Sequence, residues 1–504
     1  MHAPTSRLFA VALRSCAAAF VCLAALPGAA LAVDLTIAQS TDAVSLDPAF
    51  RADTATGNVQ RHIFDTILQR GPDMTIGPQL AETVRQDGPT QWTVVLRPGL
   101  KFSNGEPLDA EAVKFSIERM QNPGLKSPIR GWWTGFKTVE VADERTLKIT
   151  TTAADPLFRA RMTLLAPVPP KYVRDAGDAA FARKPVGSGP YRLVDWRRDD
   201  AVVLQANPDY AGQKPKIDRV VFRVVPEELS RVAALQTGEA DVIAGMSPTQ
   251  AAGLETSPDA RVERAASTRV MAVQFDIDEP PGNEQKFRDA VAYAIDRDAI
   301  IKGLLRGYAV PAKSILSPGI PEWPSDKDFT RKYDLDKAKA LVKELGLEGR
   351  EIVMRTSSGR YPNDRETALA IGAQLQKAGL NVKVRPEEWG TFFEDLKNHK
   401  MSALYLSGQG NVWLDPYPQI EAFHTTNGLL SAWSDPTIDA LLAKSNEVPV
   451  EQRPALFEQM LERLRDTTAA VPLYAQQIIY GVRKGVDWKP RSDEQILAFE
   501  MSKK

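Results

Sequence analysis

Cysteine is all but missing from this chain: Cys16 and Cys22 are the only two in 504 residues, and both fall within the first 32. From residue 33 onward no thiol is available for a disulfide, a nucleophile or a cysteine metal site. Histidine is nearly as scarce. His62, His399 and His424 are the three that follow residue 32; no two adjoin, and none stands in the H-E-x-x-H spacing of a zinc protease. Gly187-Ser188-Gly189 is flanked by Val186 and Pro190, so it is not a G-x-S-x-G nucleophile elbow and reads as turn chemistry. A surplus of positive charge is also lacking. Without its first 32 residues the chain carries 61 Lys+Arg against 64 Asp+Glu, a formal charge of −3. That excludes the basic surface a nucleic-acid partner requires. No apolar run long enough to span a bilayer follows residue 32. The chain is expected not to be an enzyme, and to hold no cofactor and no metal.

What is present begins with residues 1–32. Arg7 and Arg14 precede the apolar run Cys16–Leu26, and Pro27-Gly28 breaks it ahead of Ala30-Leu31-Ala32. A basic start, a short apolar core and small residues at the end are the parts of a signal peptide cleaved after Ala32. The residue before Cys22 is Val21, not the small residue of a lipidation site, so no lipid anchor is expected and the product is expected to be extracytoplasmic. The remaining length exceeds one ordinary domain and points to two or more lobes.

Along the chain, Val33–Ala38 alternates as a strand, and Ile63, Phe64, Ile67 and Leu68 mark a short helix ended by Gly71-Pro72. Trp92–Arg97 and Arg145–Thr150 read as strands. Asp109 caps a helix that buries Ala112, Val113, Phe115, Ile117 and Met120. Strands follow near 191–196, 201–205, 219–225 and 241–243, with Gly238 a left-handed C-cap between them. From 351 the pattern changes. Strands at 351–355, 381–385 and 402–406 alternate with helices at 365–377 and 389–397, the spacing of a parallel sheet. The fold class is α/β.

Several motifs then stand in a fixed order. They are SLDPA at 45–49, LAET at 80–83, WTVVLRPGLKFSNGEPLDAEAVKFSIERM at 92–120, PVGSGPYRLVDW at 185–196, NPDY at 207–210, ALQTGEADV at 234–242, FRDAVAYAIDRDAI at 287–300 and AVPLY at 470–474. Together they resemble the extracellular solute-binding proteins of ABC importers, in the dipeptide, oligopeptide and nickel-binding family 5. One departure is Ala211, where that family usually carries tryptophan. The resemblance implies a two-lobed periplasmic-binding-protein fold (type II, large cluster). Lobe one would be 33–265 with an extra α+β subdomain at about 70–180, lobe two 266–478, and 479–504 would return to lobe one. It also implies a monomer that closes on a small solute and docks on an ABC permease and its ATPase in the inner membrane.

Ligands of open α/β sheets bind beyond the carboxyl ends of parallel strands. Two loops meet that condition here, Thr356–Asn363 and Ser407–Asp415. In the first, Arg360 stands where the resemblance places an arginine on a ligand carboxylate, a role its planar fork suits; Tyr361 accompanies it. The second offers Gly408, Gln409, Asn411, Trp413 and Asp415. Peptide binders of the family hold the ligand ammonium with an Asp three residues before Asp-Pro, and that position here is Val412. A simple peptide N-terminus is therefore disfavoured unless another acid, such as Asp42, substitutes. Trp389 and the early-loop residues Ser40, Thr41 and Asp42 complete the expected ligand-binding set. The cargo expected is peptide-like or otherwise carboxylate-bearing. A nickel-chelate binder, with His424 as a ligand, and a ligand-presenting sensor are the alternatives that the same fold allows.

Overall fold

The computed structural model describes residues 33–504 apart from 52, 319, 321, 322, 324–326, 359 and 412. The expected signal peptide and Val412 thus lie outside the described residues. An eleven-stranded mixed sheet organises the molecule. In chain order its strands are β1 (Asp34–Gln39), β2 (Tyr191–Arg197), β3 (Ala201–Ala206), β4 (Arg219–Val224), β5 (Val242–Ala244), β6 (Ala260–Phe275), β7 (Ala309–Pro311), β8 (Glu351–Ser357), β9 (Asn381–Glu387), β10 (Leu404–Gly410) and β11 (Ala470–Arg483). In space they run β9-β8-β10-β6-β11-β5-β1-β4-β3-β2, with β7 on β11.

Two strands cross the middle. β6 and β11 are antiparallel partners over most of their length, but their pairing slips between Ala266 and Val270. Before the slip β11 also pairs β5; beyond it β6 pairs β10. Ser267, Thr268 and Arg269 occupy the slip, where the sheet passes from one half to the other.

The parallel β-α-β-α-β arrangement read from 351 onward is observed. β8 is parallel to both β9 and β10, with α2 (Asp364–Lys377) and α3 (Trp389–Lys397) as crossovers. This half has its own core around Met354, Ile371, Leu375, Leu404 and Leu406. A second core lies under β1, β3 and β4, with Leu35, Ile37, Val202 and Phe222 at its centre. A third belongs to a four-stranded antiparallel sheet of Ala81–Gly88, Gln91–Leu96, Phe136–Val141 and Thr146–Thr151, where the Trp92 ring stacks on Phe158 at 4.2 Å. Each fully buried aliphatic or aromatic side chain contributes about 1.5–3 kcal/mol to holding these layers. Asp109 caps the helix Ala110–Gln121 by accepting from the Ala112 amide, as its sequence predicts.

Two sequence expectations need correction. The helix expected near 63–68 lies earlier, as α1 (Thr54–Ile63), capped by the Asp53 side chain on the Thr56 amide; after Ile63 the chain is extended, and Leu68–Arg70 is a strand. The short apolar run 63–68 fits strand and helix equally well, and the polar, glycine-bearing α1 shows little apolar period. Ser407–Gly410, expected as loop, is the end of β10, because it finds backbone partners from Arg269 to Ala272 on β6.

Candidate ligand-binding cavity

A cavity of about 620 Å³ opens beyond the carboxyl ends of β8 and β10, inside the ~300–1,000 Å³ span of small-molecule sites. Arg51, Arg61, Arg70, Arg269, Arg360 and Arg491 line it, against the acids Asp53, Asp493 and Glu494. The wall therefore carries a formal +3 in a protein that is weakly acidic overall.

Four of these arginines are placed by local devices. The GSG turn of the family-type motif docks on the end of α1: Gly189 donates its amide to Ile63 O at 2.9 Å, and a Cβ on Gly187 would lie 2.0 Å from that same oxygen. The turn thereby fixes the helix end that carries Arg61. His62, next to it, is buried, donating from Nδ1 to Asn58 O (2.7 Å) and accepting at Nε2 from the Ala498 amide (2.9 Å). With Asn58 Oδ1 accepting from Ile496 N, α1 pins the segment that brings Glu494, Gln495 and Leu497 to the cavity. Burial keeps His62 neutral, its pKa depressed to about 4. Arg51 lies over Gly57 of α1, where a Cβ would meet its guanidinium at 3.0–3.3 Å.

On the other side Arg269 runs along the glycines of β10. A Cβ on Gly408 would meet its Cδ at 2.9 Å, and one on Gly410 its guanidinium at 3.0–3.2 Å. Tyr361 backs both Arg269 and Arg360, each with its guanidinium carbon 5.2 Å from the ring centre, and Arg360 also lies 5.1 Å from Trp389. Aromatic faces attract these cations without neutralising them. Among the described residues none of Arg51, Arg61, Arg269 and Arg360 forms an ion pair; Arg61 donates to Thr66 Oγ1 at 2.6 Å and Arg269 to Gly408 O at 3.4 Å. Burial, then the neighbouring Arg61, lowers the Arg51 pKa to about 10, and burial, then Arg269, lowers that of Arg360. Both remain cations at neutral pH, and both would be relieved by an anion.

The expected site residues fall into different places. Arg360 and Asn411 line the cavity. Tyr361 and Gly408 sit directly behind it as the seat for arginines, and Trp389 continues that stack toward Phe392 and Phe393. Gln409 is fully buried against His424 Nε2, so neither it nor the histidine faces the cavity. Asp415 grips Arg453 with both oxygens at 2.7 and 2.8 Å and caps α4 (Pro416–His424). Asp42 accepts from the Trp196 indole and the Asp199 amide at 3.0 Å, fastening the β2–β3 hairpin; Ser40 and Thr41 are exposed beside it. Trp413 meets Trp132, which lines the cavity, edge-on at 5.0 Å. Among the described residues no three His, Cys, Asp or Glu gather as metal ligands, and no helix is long and apolar enough to cross a membrane.

The family model described as bacterial extracellular solute-binding proteins, family 5, middle region, matches residues 75–429. The chain belongs to this family. It is 28% identical over 494 residues to the glutathione-binding protein GsiB of Salmonella paratyphi A, covering 94% of this chain and 93% of the relative. Its fold superposes on the ABC transporter substrate-binding protein CtaP of Listeria monocytogenes with a TM-score of 0.83 (23% identity, 93% and 99% coverage). The periplasmic binding protein DppA of Helicobacter pylori, solved with the peptide STSA, gives 0.75 (25% identity, 94% and 98%). As a family 5 member the chain is a substrate-binding component of ABC importers, a class of binding proteins and not of enzymes, with the two-lobed fold of that class.

Proposed function

We propose that this family 5 protein captures a small peptide-like solute bearing carboxylate in the periplasm and hands it to an ABC permease. The signal peptide would leave after Ala32, and the mature protein would act as a monomer. The lobes would divide at about 265 and 478, on the two long strands whose pairing slips at Ser267–Arg269; a short irregular segment in two crossing strands is a natural hinge. The extra subdomain at about 70–180 would hold the small antiparallel sheet.

The observation that carries this reading is Arg360, at the carboxyl end of β8, open to a cavity where arginines outnumber acids two to one. A glutathione binder among the relatives suits such a wall, since glutathione is a peptide with two carboxylates. A free ammonium also has a place. Glu494 lines the cavity and makes no ion pair among the described residues; its Oε2 accepts only from Thr54 Oγ1 at 3.3 Å. It fills the part that Asp42, tied to its hairpin, does not.

Calorimetric titration of the mature protein with glutathione and with di- and tripeptides tests the proposal. Arg360→Ala should weaken binding by about 30-fold or more, the effect of removing one partner of a desolvated charge pair. Full affinity in that variant would refute the assignment.

A further inference from the structure

We infer that the cavity is built for a ligand with two separate carboxylates, one taken by the pair Arg51 and Arg61 and the other by the pair Arg269 and Arg360. The inference rests on the proposed peptide-like cargo and narrows it. Elsewhere in this protein buried arginines are compensated: Arg119 by Asp47 and Asp178, Arg355 by Glu387 and Asp395, Arg453 by Asp415, Arg491 by Asp493 and Glu500. Arg231 and Arg288 are instead ringed by backbone carbonyls. The four cavity arginines, of which Arg51, Arg61 and Arg269 are half-buried and Arg360 is exposed, have neither arrangement. Arg51 and Arg360 donate no guanidinium hydrogen bond to any described residue, though each carries five N–H donors.

The acids of the wall do not fill the gap. Asp53 is engaged as the α1 cap, with Thr56 N at 2.8 Å and Thr56 Oγ1 at 2.9 Å. Asp493 is held by Arg491. Only Glu494 is left, so the surplus charge is met from outside the chain. The two pairs belong to different walls: Arg51 and Arg61 to α1 and the chain leading into it, Arg269 and Arg360 to β6 and the loop after β8. Two forks on two walls match two planar carboxylates at the two ends of one molecule. Gly57 and Gly410 add to this. Each leaves open the space in which one of these guanidiniums lies. A ligand with one carboxylate would leave one pair of neighbouring like charges without a counter-ion in the occupied cavity, which disfavours it.

Matched peptides test this on the mature wild-type protein by calorimetry: glutathione against its monoethyl ester, and Glu-Ala against Gln-Ala, which differs by one amide for one carboxylate. The diacids should bind about 30-fold or more tightly than their one-carboxylate counterparts. Arg51→Gln should bring the two members of a pair to the same affinity. Gly57→Ala, which crowds the guanidinium without removing its charge, should narrow the gap in the same direction. Equal binding of diacid and monoacid by the wild type overturns the inference and leaves the peptide reading standing. No binding of any of the four by folded protein overturns the peptide reading itself. The wild-type comparison decides the matter even where a variant fails to fold.

Discussion

Asp65 shows how far a single side chain near the cavity can depart from ordinary chemistry. It is buried four residues after Arg61, with Oδ1 accepting from Gln79 Nε2 at 2.6 Å and from the Tyr210 hydroxyl at 3.1 Å. Burial raises its pKa to about 7, and the Tyr210 hydrogen bond and the charges of Arg61 and Arg97 only partly offset that. An unfolded Asp titrates at about 3.9. The folded state therefore holds the extra proton, so its contribution to stability is complete below about 4 and is lost as pH rises through 7. His62 works in the opposite sense. Its folded pKa is depressed to about 4, so its contribution is lost as pH falls from about 6.5. His62 is common to the wild type and an Asp65 variant, so its effect cancels when the two are compared between pH 6.5 and 8.5. Asp65→Asn keeps the Oδ1 acceptor and removes the titration, so the unfolding free energy of this variant should fall less over that interval than that of the wild type. Chemical denaturation at pH 6.5 and 8.5 measures it; parallel slopes for the two proteins would contradict the account.

At the scale of elements, the junction of the GSG turn with α1 sets the position of a whole wall. The Cβ of an alanine at 187 would stand 2.0 Å from Ile63 O and 2.8 Å from Ile63 C. Both are backbone atoms of α1, which cannot yield as a side chain would. Gly187→Ala should cost about 1–3 kcal/mol or more in stability, the range of overpacking. It should also weaken ligand binding, because α1 carries Arg61 and seats Arg51. Denaturation curves together with a titration separate the two effects, and unchanged values in both would show that the junction is softer than its geometry. Much of this element-level design was legible beforehand. The motif order, the Asp109 cap and the parallel sheet from 351 all follow from turn residues and apolar period, which are local signals. α1 was misplaced because its residues, Thr54 to Ile63, are mostly polar and its face is buried by tertiary packing. Ser407–Gly410 read as loop because glycine and glutamine mask a strand whose partner lies more than a hundred residues away. The site was the least legible part. Arg51, Arg61, Arg269 and Glu494 carry no spacing that marks them, since they meet only when chain segments near 51, 269, 360 and 494 converge. Arg269 had one faint signal, a charge within the apolar strand run 270–275 and its flank.

For the whole molecule, the cavity's +3, set within residues 33–504 that together carry a net −3, makes charge the guide and the proposed closure the lock. Trp132, which lines the cavity, and Trp413 supply contacts that would hold the proposed lobes together. Trp413 meets Trp132 at 5.0 Å and lies under the Arg161 guanidinium at 5.2 Å, while Arg161 donates to Trp132 O at 2.6 Å. Arg70 donates to Trp413 O and accepts at its own carbonyl from Arg491 Nη2 at 3.0 Å. The clasp is thus joined to two cavity arginines. On the proposed division at about 265 and 478 these contacts join lobe one, at 70, 132 and 161, to lobe two, at 413, so they would form only on closure. An edge-to-face aromatic pair contributes about 0.5–1.5 kcal/mol and a cation–π contact about 0.5–2 kcal/mol. Removing both from the closed form alone subtracts that sum from apparent ligand affinity, at ~1.4 kcal/mol per tenfold. Trp413→Ala should therefore weaken binding by roughly 5- to 300-fold and leave the melting temperature of the ligand-free protein nearly unchanged if that form is open. Small-angle scattering should show the variant less compact than the wild type at equal, subsaturating ligand. Trp413→Phe should recover part of the affinity by restoring a ring against Trp132 and Arg161. Wild-type affinity in Trp413→Ala would mean that the contact plays no part in closure, and that ligand charge alone draws the two sides together.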